Sequence, residues 1–422
     1  MKKRFHKKTY LNLLDIGSGK VACMVVRLMD NQSPVVVGAS CVPSRGIQAG
    51  SIWNLDEATA CVGEAIHQAE VKSGQSIESV IVNISSTRMH SIRAYHEVSI
   101  APGKPISAQD VQHLVDNIVA QHVPVGEEVL HAFPLAYVVD KDQANNDPRG
   151  IFASTLGAHV HMVTMPETQN MNLLTVLDRC HVSIQMKVAT PYAAALAVLS
   201  STKKEEDEKE VGATVIDFGA GTTSYAVFVS GCLMQLGVVQ NGGQEITRDI
   251  AQKLNTSLSN AEKLKVLNGA AYLTPRDELE RVIVPIVGDE EGANNYVPKS
   301  SLIGIIVPHV EEILEKLKVE LDKDTTFTSV AKRFVLTGGG AGLTGIKEKT
   351  ASFLGGIPRL GRPKEIKNLP TEYDLCTFNV CVGLLMYALK KKQDKVFEQF
   401  QPSEAPKGLL GKVIKWIRQN LS

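Results

Sequence analysis

The chain has 422 residues, which at roughly 100 to 200 residues per domain is enough for two to four globular units with cores of their own. Its 45 Lys plus Arg balance 45 Asp plus Glu to zero formal charge, which excludes the broad basic field that draws a protein onto nucleic acid. Seven cysteines (Cys23, Cys41, Cys61, Cys180, Cys232, Cys376, Cys381) are odd in number and lack a Cys-x-x-Cys spacing, so a disulfide framework or zinc site is not expected and a reducing, cytosolic compartment fits best.

In chain order, the basic start Met1 to Lys8 resembles the head of a secretory signal, but Asn12, Asp15 and Lys20 interrupt the apolar run behind it, and secretion is not expected. No run of 18 apolar residues occurs anywhere, which excludes a spanning helix and leaves surface attachment to a membrane open. Residues 11–28 place apolar side chains around Gly17-Ser18-Gly19, predicting strand, tight turn and strand. Asp56 to Lys72 carries Ala58, Val62, Ala65, Ile66 and Ala69 at helical spacing, and Ser79 to Ile84 is a short apolar strand. Residues 87–162 change character: strands near 92–100 and 129–139 flank a helix opened by Ser107 with Asp110, a capping-box pattern. They read as an inserted subdomain. Helices at 167–180 and from Pro191 to Leu199 resume the first half, and the polar run Ser201 to Glu210 reads as a solvated connection.

Residues 214–229 repeat the opening design, with Val215-Ile216-Asp217-Phe218, Gly219-Ala220-Gly221, then Tyr225 to Val229. Two Asp-x-Gly-x-Gly hairpins so far apart predict two similarly built halves. A helix near 245–255, a less regular stretch to about 305, a helix at 309–322, the strand Phe334-Val335-Leu336 and an apolar helix near 376–389 complete the second half. Arg276 to Arg281 reads as a solvated helix face, and Lys390 to Pro406, with Pro402 and Pro406, as a flexible tether. Trp53, the histidines and the cysteines show no ligand spacing and are assigned to packing or surface.

A polyphosphate needs converging backbone N–H groups, which glycine-rich turns supply by removing obstructing side chains. Gly17, Ser18, Gly19 and Gly219, Gly221, Thr222, Thr223 qualify, with Lys20 as a charge contact. Asp15 and Asp217, at the strand ends beside these turns, are candidate ligands of Mg²⁺, held largely through its waters. Thr337-Gly338-Gly339-Gly340 follows an apolar strand and lets a base or phosphate lie against the backbone. One such turn alone is an ordinary hairpin; the three in this order resemble the actin, chaperone ATPase and sugar-kinase superfamily, which implies an α/β, actin-like (ribonuclease H-like) two-domain fold with ATP in the interdomain cleft.

Within that superfamily the chain resembles the FtsA family of bacterial division proteins. The resemblance lies at Ile216 to Ser224, Asn241-Gly242-Gly243 with Ile246-Thr247 and Asp249-Ile250-Ala251, Ala261-Glu262-Lys263-Leu264-Lys265, and His131-Ala132-Phe133-Pro134 with Tyr137-Val138-Val139-Asp140. It covers about residues 10–390 and implies a subdomain map: 1A from 1–86 and 163–205, an inserted 1C at 87–162, 2A from 206–246 and 306–390, 2B at 247–305, a linker at 391–406 and an amphipathic helix at 407–422. It also implies that Gly243 belongs to the ATP site and that Glu262 and Lys265 contact the adenosine, although read alone they fit an exposed charged helix. The partners it implies are the tail of the tubulin-like protein FtsZ, bound within 247–305 with Arg276, Arg281 and Lys299 as candidate contacts, other copies of the chain in a filament, and later division proteins, at the cytoplasmic face of the inner membrane at the septum. Nucleic acid is not expected.

The C-terminal segment can be read without a family. At 100° per residue, Leu409, Leu410, Val413, Ile414, Trp416, Ile417 and Leu421 share one face, while Lys407, Lys412, Lys415 and Arg418 occupy the rest with no acidic residue. That pattern describes a helix lying in the headgroups of an anionic bilayer; docking on the chain's own core or on a partner groove is the alternative. Two rival functions share the nucleotide turns. A small-molecule kinase needs a substrate-facing base, which does not stand out, and a pilus-assembly actin homologue would not share the match in the insert. In the related MreB filament proteins a Glu precedes a Pro-x-Ala-Ala-Ala helix start and orients the attacking water; here Thr190-Pro191-Tyr192-Ala193-Ala194-Ala195 stands. A Thr hydroxyl is no base at neutral pH, so at most slow ATPase activity is expected.

Overall fold

The computed structural model describes residues 9–29, 32–144, 147–199, 208–287, 294–324, 331–370 and 376–393. The expected tether from residue 394 onward, the amphipathic segment 407–422 and residues 201–207 of the polar connection lie outside them. Among the described residues, 9–92, 124–131 and 163–387 form one compact unit, and 93–123 and 132–162, with 388–393, group as a second.

The first unit opens with β1 (Thr9–Ile16), β2 (Lys20–Leu28) and β3 (Val35–Pro43), then a short hairpin β4 (Ile47–Gln48) and β5 (Ser51–Ile52), helix α1 (Leu55–Ser73) and β6 (Ser79–Ile84). Helix α1 starts where Asn54 accepts hydrogen bonds from the backbone N–H groups of Asp56 and Glu57, and it stops at Gly74 in the left-handed region. Its inner face is Ala58, Cys61, Val62, Ala65, Ile66 and Ala69, matching the helical spacing in the sequence. The insert contributes β7 (His90–Ser99), α2 (Ala108–His122), β8 (Glu127–Val139), β9 (Asp142–Ala144) and β10 (Thr155–Pro166). Beyond it come α3 (Glu167–Arg179), β11 (Ser183–Ala189) and α4 (Thr190–Leu199).

The second half runs β12 (Ala213–Phe218), β13 (Thr223–Val229), β14 (Cys232–Val239), α5 (Gly243–Lys253), α6 (Leu258–Asn268), β15 (Arg281–Pro285), β16 (Asn294–Pro298), α7 (Lys299–Asp322), β17 (Arg333–Thr337), α8 (Ile346–Leu354), β18 (Ile357–Leu360) and α9 (Asn379–Gln393). Two five-stranded sheets result, ordered β11-β6-β1-β2-β3 and β14-β13-β12-β17-β18. In each, three strands form an antiparallel meander and the first of them also pairs in parallel with a fourth strand, which pairs in parallel with a fifth. The repeated hairpin in the sequence is therefore the central hairpin of a repeated sheet. Helix α4 is buried at every residue and contacts strands of both sheets.

Two expectations need correction. The stretch to 305 is regular: it holds α6, a one-turn 3-10 helix (Pro275–Glu278) and the β15–β16 hairpin, and α7 begins at Lys299 and runs through Pro308. A proline inside a helix costs about 3 kcal/mol, but Leu302, Ile303, Ile306, Val310, Ile313, Leu314 and Leu317 bury the same helix in the core, at about 1.5 to 3 kcal/mol for each large apolar side chain. Arg276 to Arg281 is not a helix face. Thr274 caps a single turn, Lys299 Nζ ties Asp277 and Glu280, and Arg281 starts β15.

The second unit is built on a sheet ordered β7-β10-β8-β9. Ser107 and Asp110 close the expected capping box at the start of α2, and Leu114, Ile118, Leu156, Val160 and Met162 are buried. Strand β10 was absent from the sequence reading. Among the described residues no helix is long and apolar enough to cross a membrane.

Candidate functional site

The two Asp-x-Gly-x-Gly turns are closed by the same hydrogen bond: Gly17 N–H donates to Lys20 O, and Gly219 N–H to Thr222 O, both at 3.0 Å. The turns also face each other closely. A Cβ on Gly19 would stand 2.6 Å from Ala220 Cβ, and one on Gly221 2.6 Å from Ser18 Oγ, so neither position tolerates a side chain. The start of α5 locks onto the second turn through Gly243 N–H to Gly219 O (3.0 Å) and Gln244 N–H to Ala220 O (2.8 Å).

Two cavities flank this meeting point. The smaller, about 290 Å³, is lined by Asp15, Gly17, Ser18, Lys20, Asp217, Gly221, Thr222 and Gly338, among others. The larger, about 700 Å³, is lined by Thr223, Gly243, Thr247, Glu262, Lys265 and Gly340, with apolar walls at Phe218, Ile246, Val310 and Ile313. Gly19, Gly219, Ala220 and Gly339 border both. The structure thus brings together, around one contiguous cleft, every residue the sequence assigned to nucleotide and metal; Thr190 lines the smaller cavity too.

The small cavity is acidic. Burial, opposed by the Lys20 charge, pushes the Asp15 carboxyl up to about 6, and burial together with the Asp15 charge does the same to Asp217. Asn83, buried on β6, donates from Nδ2 to Asp15 Oδ1 (2.9 Å) and to Thr190 Oγ1 (3.1 Å), and its Oδ1 accepts from Ile16 N–H (2.7 Å). In the large cavity Lys265 Nζ donates to Glu262 Oε2 (2.7 Å), Thr247 Oγ1 (2.8 Å) and Gly243 O (2.9 Å). These side chains are tied to one another on a helix that buries only Ala261 and Leu264 and leaves Glu262 half exposed, so the exposed charged helix expected from the sequence is also present. Thr223 is fully buried, its hydroxyl donated to Asn241 O.

At the third turn, Gly338 has φ +83° and a Cβ there would collide with Asp217 Oδ1, whereas a Cβ on Gly339 meets nothing within 4 Å. Among the described residues no three His, Cys, Asp or Glu side chains gather. Two carboxylate oxygens beside a phosphate-sized hollow suit Mg²⁺, which keeps its waters and shares phosphate oxygens, better than a metal caged by protein alone. Asn83, Gln244 and the β4–β5 hairpin escaped the sequence reading. The available signal for Asn83 was a polar residue inside the apolar run Ser79 to Ile84.

The family model for cell division protein FtsA matches residues 214–383, and that for the SHS2 domain inserted in FtsA matches residues 86–164. Cell division protein FtsA of Rhizobium meliloti is 34% identical over 388 residues, covering 89% of this chain and 86% of its own; that of Agrobacterium fabrum is 31% identical over 424 residues, covering 97% and 94%. The chain belongs to the FtsA family. The Escherichia coli FtsA is 28% identical over 415 residues, covering 96% and 95%. Among solved structures, the PilM–PilN type IV pilus biogenesis complex superposes with TM-score 0.63 at 16% identity, covering 90% of this chain and 98% of that one. MreB 5 of Spiroplasma citri bound to AMPPNP gives 0.50 at 12%, covering 93% and 98%. These likenesses place the fold among the actin-like ATPases, and the family rests on the sequence relatives at 31 and 34% identity.

Proposed function

We propose that this FtsA-family division protein binds Mg-ATP in the cleft between its two phosphate turns and, so loaded, assembles into filaments that tie the FtsZ ring to the cytoplasmic membrane and help recruit later division proteins at the septum. The observation that carries the nucleotide reading is the approach of the two equivalent turns, each with an aspartate at its strand end (Asp15 buried, Asp217 half-buried), beside a cavity holding Glu262 and Lys265. In this reading the turn N–H groups and Lys20 take the phosphates, Asp15 and Asp217 hold the waters of Mg²⁺, and the ribose and base enter the larger cavity against Gly340. The magnesium ion would neutralise phosphate charge that the two carboxylates alone repel. Thr190, already hydrogen-bonded to Asn83, supplies no base for water, so turnover is at most slow.

FtsZ's tail is assigned to the small subdomain at 247–305. There Lys299 and Arg276 are already paired with Asp277 and Glu280, which makes exposed Arg281 the favoured contact. Membrane attachment is assigned to 407–422. Calorimetry of Mg-ATP on Asp217→Asn and Gly339→Asp tests the centre of the proposal: affinity should fall at least tenfold in each, and unchanged binding in both would remove the cleft from the mechanism.

A further inference from the structure

Next to the acidic end of the cleft, sharing Ile16, Gly50, Asn83 and Ser85 with it, lies another cavity of about 450 Å³ that the nucleotide reading leaves unused. Its lining mixes apolar side chains (Ile47, Ile84, Met165, Leu173 and the largely exposed Trp53) with polar ones (Gln48, Thr87, Gln169, Asn172), and among the described residues the exposed Arg88 is the single charged group in it. Among the described residues no carboxylate lines it. Gln169, on α3, joins one amide atom to Ser51 Oγ at 3.0 Å and leaves the other buried with no partner. Turning the amide over only exchanges which atom is left unpaired.

The β4–β5 hairpin closes this cavity on one side, and its tip reaches both phosphate turns. Gly50 N–H donates to Ser18 Oγ at 3.2 Å, and Ala49 N is the backbone atom that a Cβ on Gly221 would meet at 3.1 Å. Ala49 itself has φ +45°, a conformation a non-glycine residue keeps only where its surroundings impose it.

We propose that this cavity is a second ligand site, for a small apolar monocarboxylate, and that its occupancy is felt at the phosphate turns through the β4–β5 tip. The volume is that of a small-molecule pocket. The apolar part of the lining covers the body of such a ligand, Arg88 pairs with its carboxylate, and the Gln169 amide, turned so that Oε1 accepts from Ser51 Oγ, donates from Nε2 to that carboxylate. A cation finds no counter-charge here, and a bare phosphate leaves the apolar walls unfilled. The coupling to the turns rests on their being the nucleotide site; the binding itself does not.

The chain has two tryptophans, Trp53 and Trp416, so Trp416→Phe leaves Trp53, at the cavity, as the sole indole reporter. Full-length Trp416→Phe protein, free of nucleotide, is titrated with 4-phenylbutyrate, 4-phenylbutanol and inorganic phosphate while Trp53 emission is followed. Saturable binding of 4-phenylbutyrate is expected, weakened at least tenfold by removing the carboxylate from the probe or by Arg88→Ala. It should be lost in Asn172→Phe, which fills the cavity from an exposed position of α3 and whose fold is checked by thermal melting. No saturable change, or equal binding of the alcohol or of phosphate, overturns the site. In a second arm, saturating 4-phenylbutyrate should change Mg-ATP affinity at least threefold, and ATP should change the probe's affinity by the same factor. Unchanged ATP affinity refutes the coupling, whereas failure of ATP to bind at all would strike the cleft assignment and leave the first arm standing.

Discussion

Gln244 donates its side-chain amide to the backbone carbonyl of Ser18 at 2.9 Å, so a residue on α5, beside the second sheet, holds the Gly17-Ser18-Gly19 turn of the first. A single neutral hydrogen bond contributes about 1 kcal/mol net, enough to bias the cleft toward closure and too little to lock it. Gln244→Ala should therefore weaken Mg-ATP binding several-fold, mostly through faster release, while moving the melting temperature little. Stopped-flow release of a fluorescent ATP analogue measures this directly.

The two aspartate carboxyls carry a pH signature. Asp15 and Asp217 ionise near 6 in the folded protein against the usual 3.8, so between about pH 4 and 6 the native state holds more protons than the unfolded chain. Stability is then highest below that window and falls as pH rises through it, with the cost fully present above 6. For Asp15 alone the ceiling on that cost is about 3 kcal/mol. Asp15→Asn should raise the melting temperature at pH 7 and leave it nearly unchanged at pH 4. Mg-ATP needs both groups ionised, so its affinity should decline as pH drops below about 6, with protons released on binding near that pH. A melting temperature at pH 7 that does not rise would refute the buried-charge account.

The neighbouring glycines of the third turn should behave as opposites. Gly338 sits at φ +83° against Asp217, so Gly338→Ala is expected to destabilise the fold itself. Gly339→Ala points into open space and should fold normally, its effect confined to nucleotide affinity. Thermal melts beside calorimetry separate the two, and equal loss of stability in both would contradict this backbone geometry.

For the tail, Trp416→Glu places a charge in the apolar face, and it should release the protein from anionic vesicles in co-sedimentation. Changing Lys412, Lys415 and Arg418 together to Gln should weaken attachment to anionic vesicles, reduce its salt sensitivity and leave neutral vesicles little affected, since the lost attraction is screened. Unaltered pelleting of Trp416→Glu would remove the tail from membrane attachment.

Elements whose pattern is local were readable: α1 from its apolar spacing, the Ser107–Asp110 cap, and both hairpins from an apolar run broken by Gly-x-Gly. The residues that line the candidate cleft were readable for the same reason, because each turn is a short contiguous motif. Asn83 and Gln244 were not, since their importance comes from Asp15 and Ser18, partners 68 and 226 positions away, and no local spacing encodes such a pairing. Helix α7 was read short because Pro308 is a strong local stop signal that the core overrides. Arg276 to Arg281 misled in the opposite sense: its alternating charges suit an exposed helix, but Lys299 gathers the acidic members into a turn.

Helix α4 joins the two sheets in a way that bears on how the chain acquires its structure. Ten consecutive residues from Thr190 to Leu199 have no solvent-facing side. They rest on β6 and β11 of one sheet and on β12, β13, β14 and β17 of the other, and Gly383 of α9 lies so close to Ala193 that a methyl group would strike its carbonyl. A fragment ending near residue 200 would leave the downstream half of that wrapping unmade and a predominantly apolar helix bare to water. Both sheets should accordingly melt in a single transition, and an isolated N-terminal half should aggregate rather than survive as a module. During synthesis the ribosome would have to deliver β12 to β17 before the first sheet is finished, which makes the second half of this polypeptide a folding partner of the first.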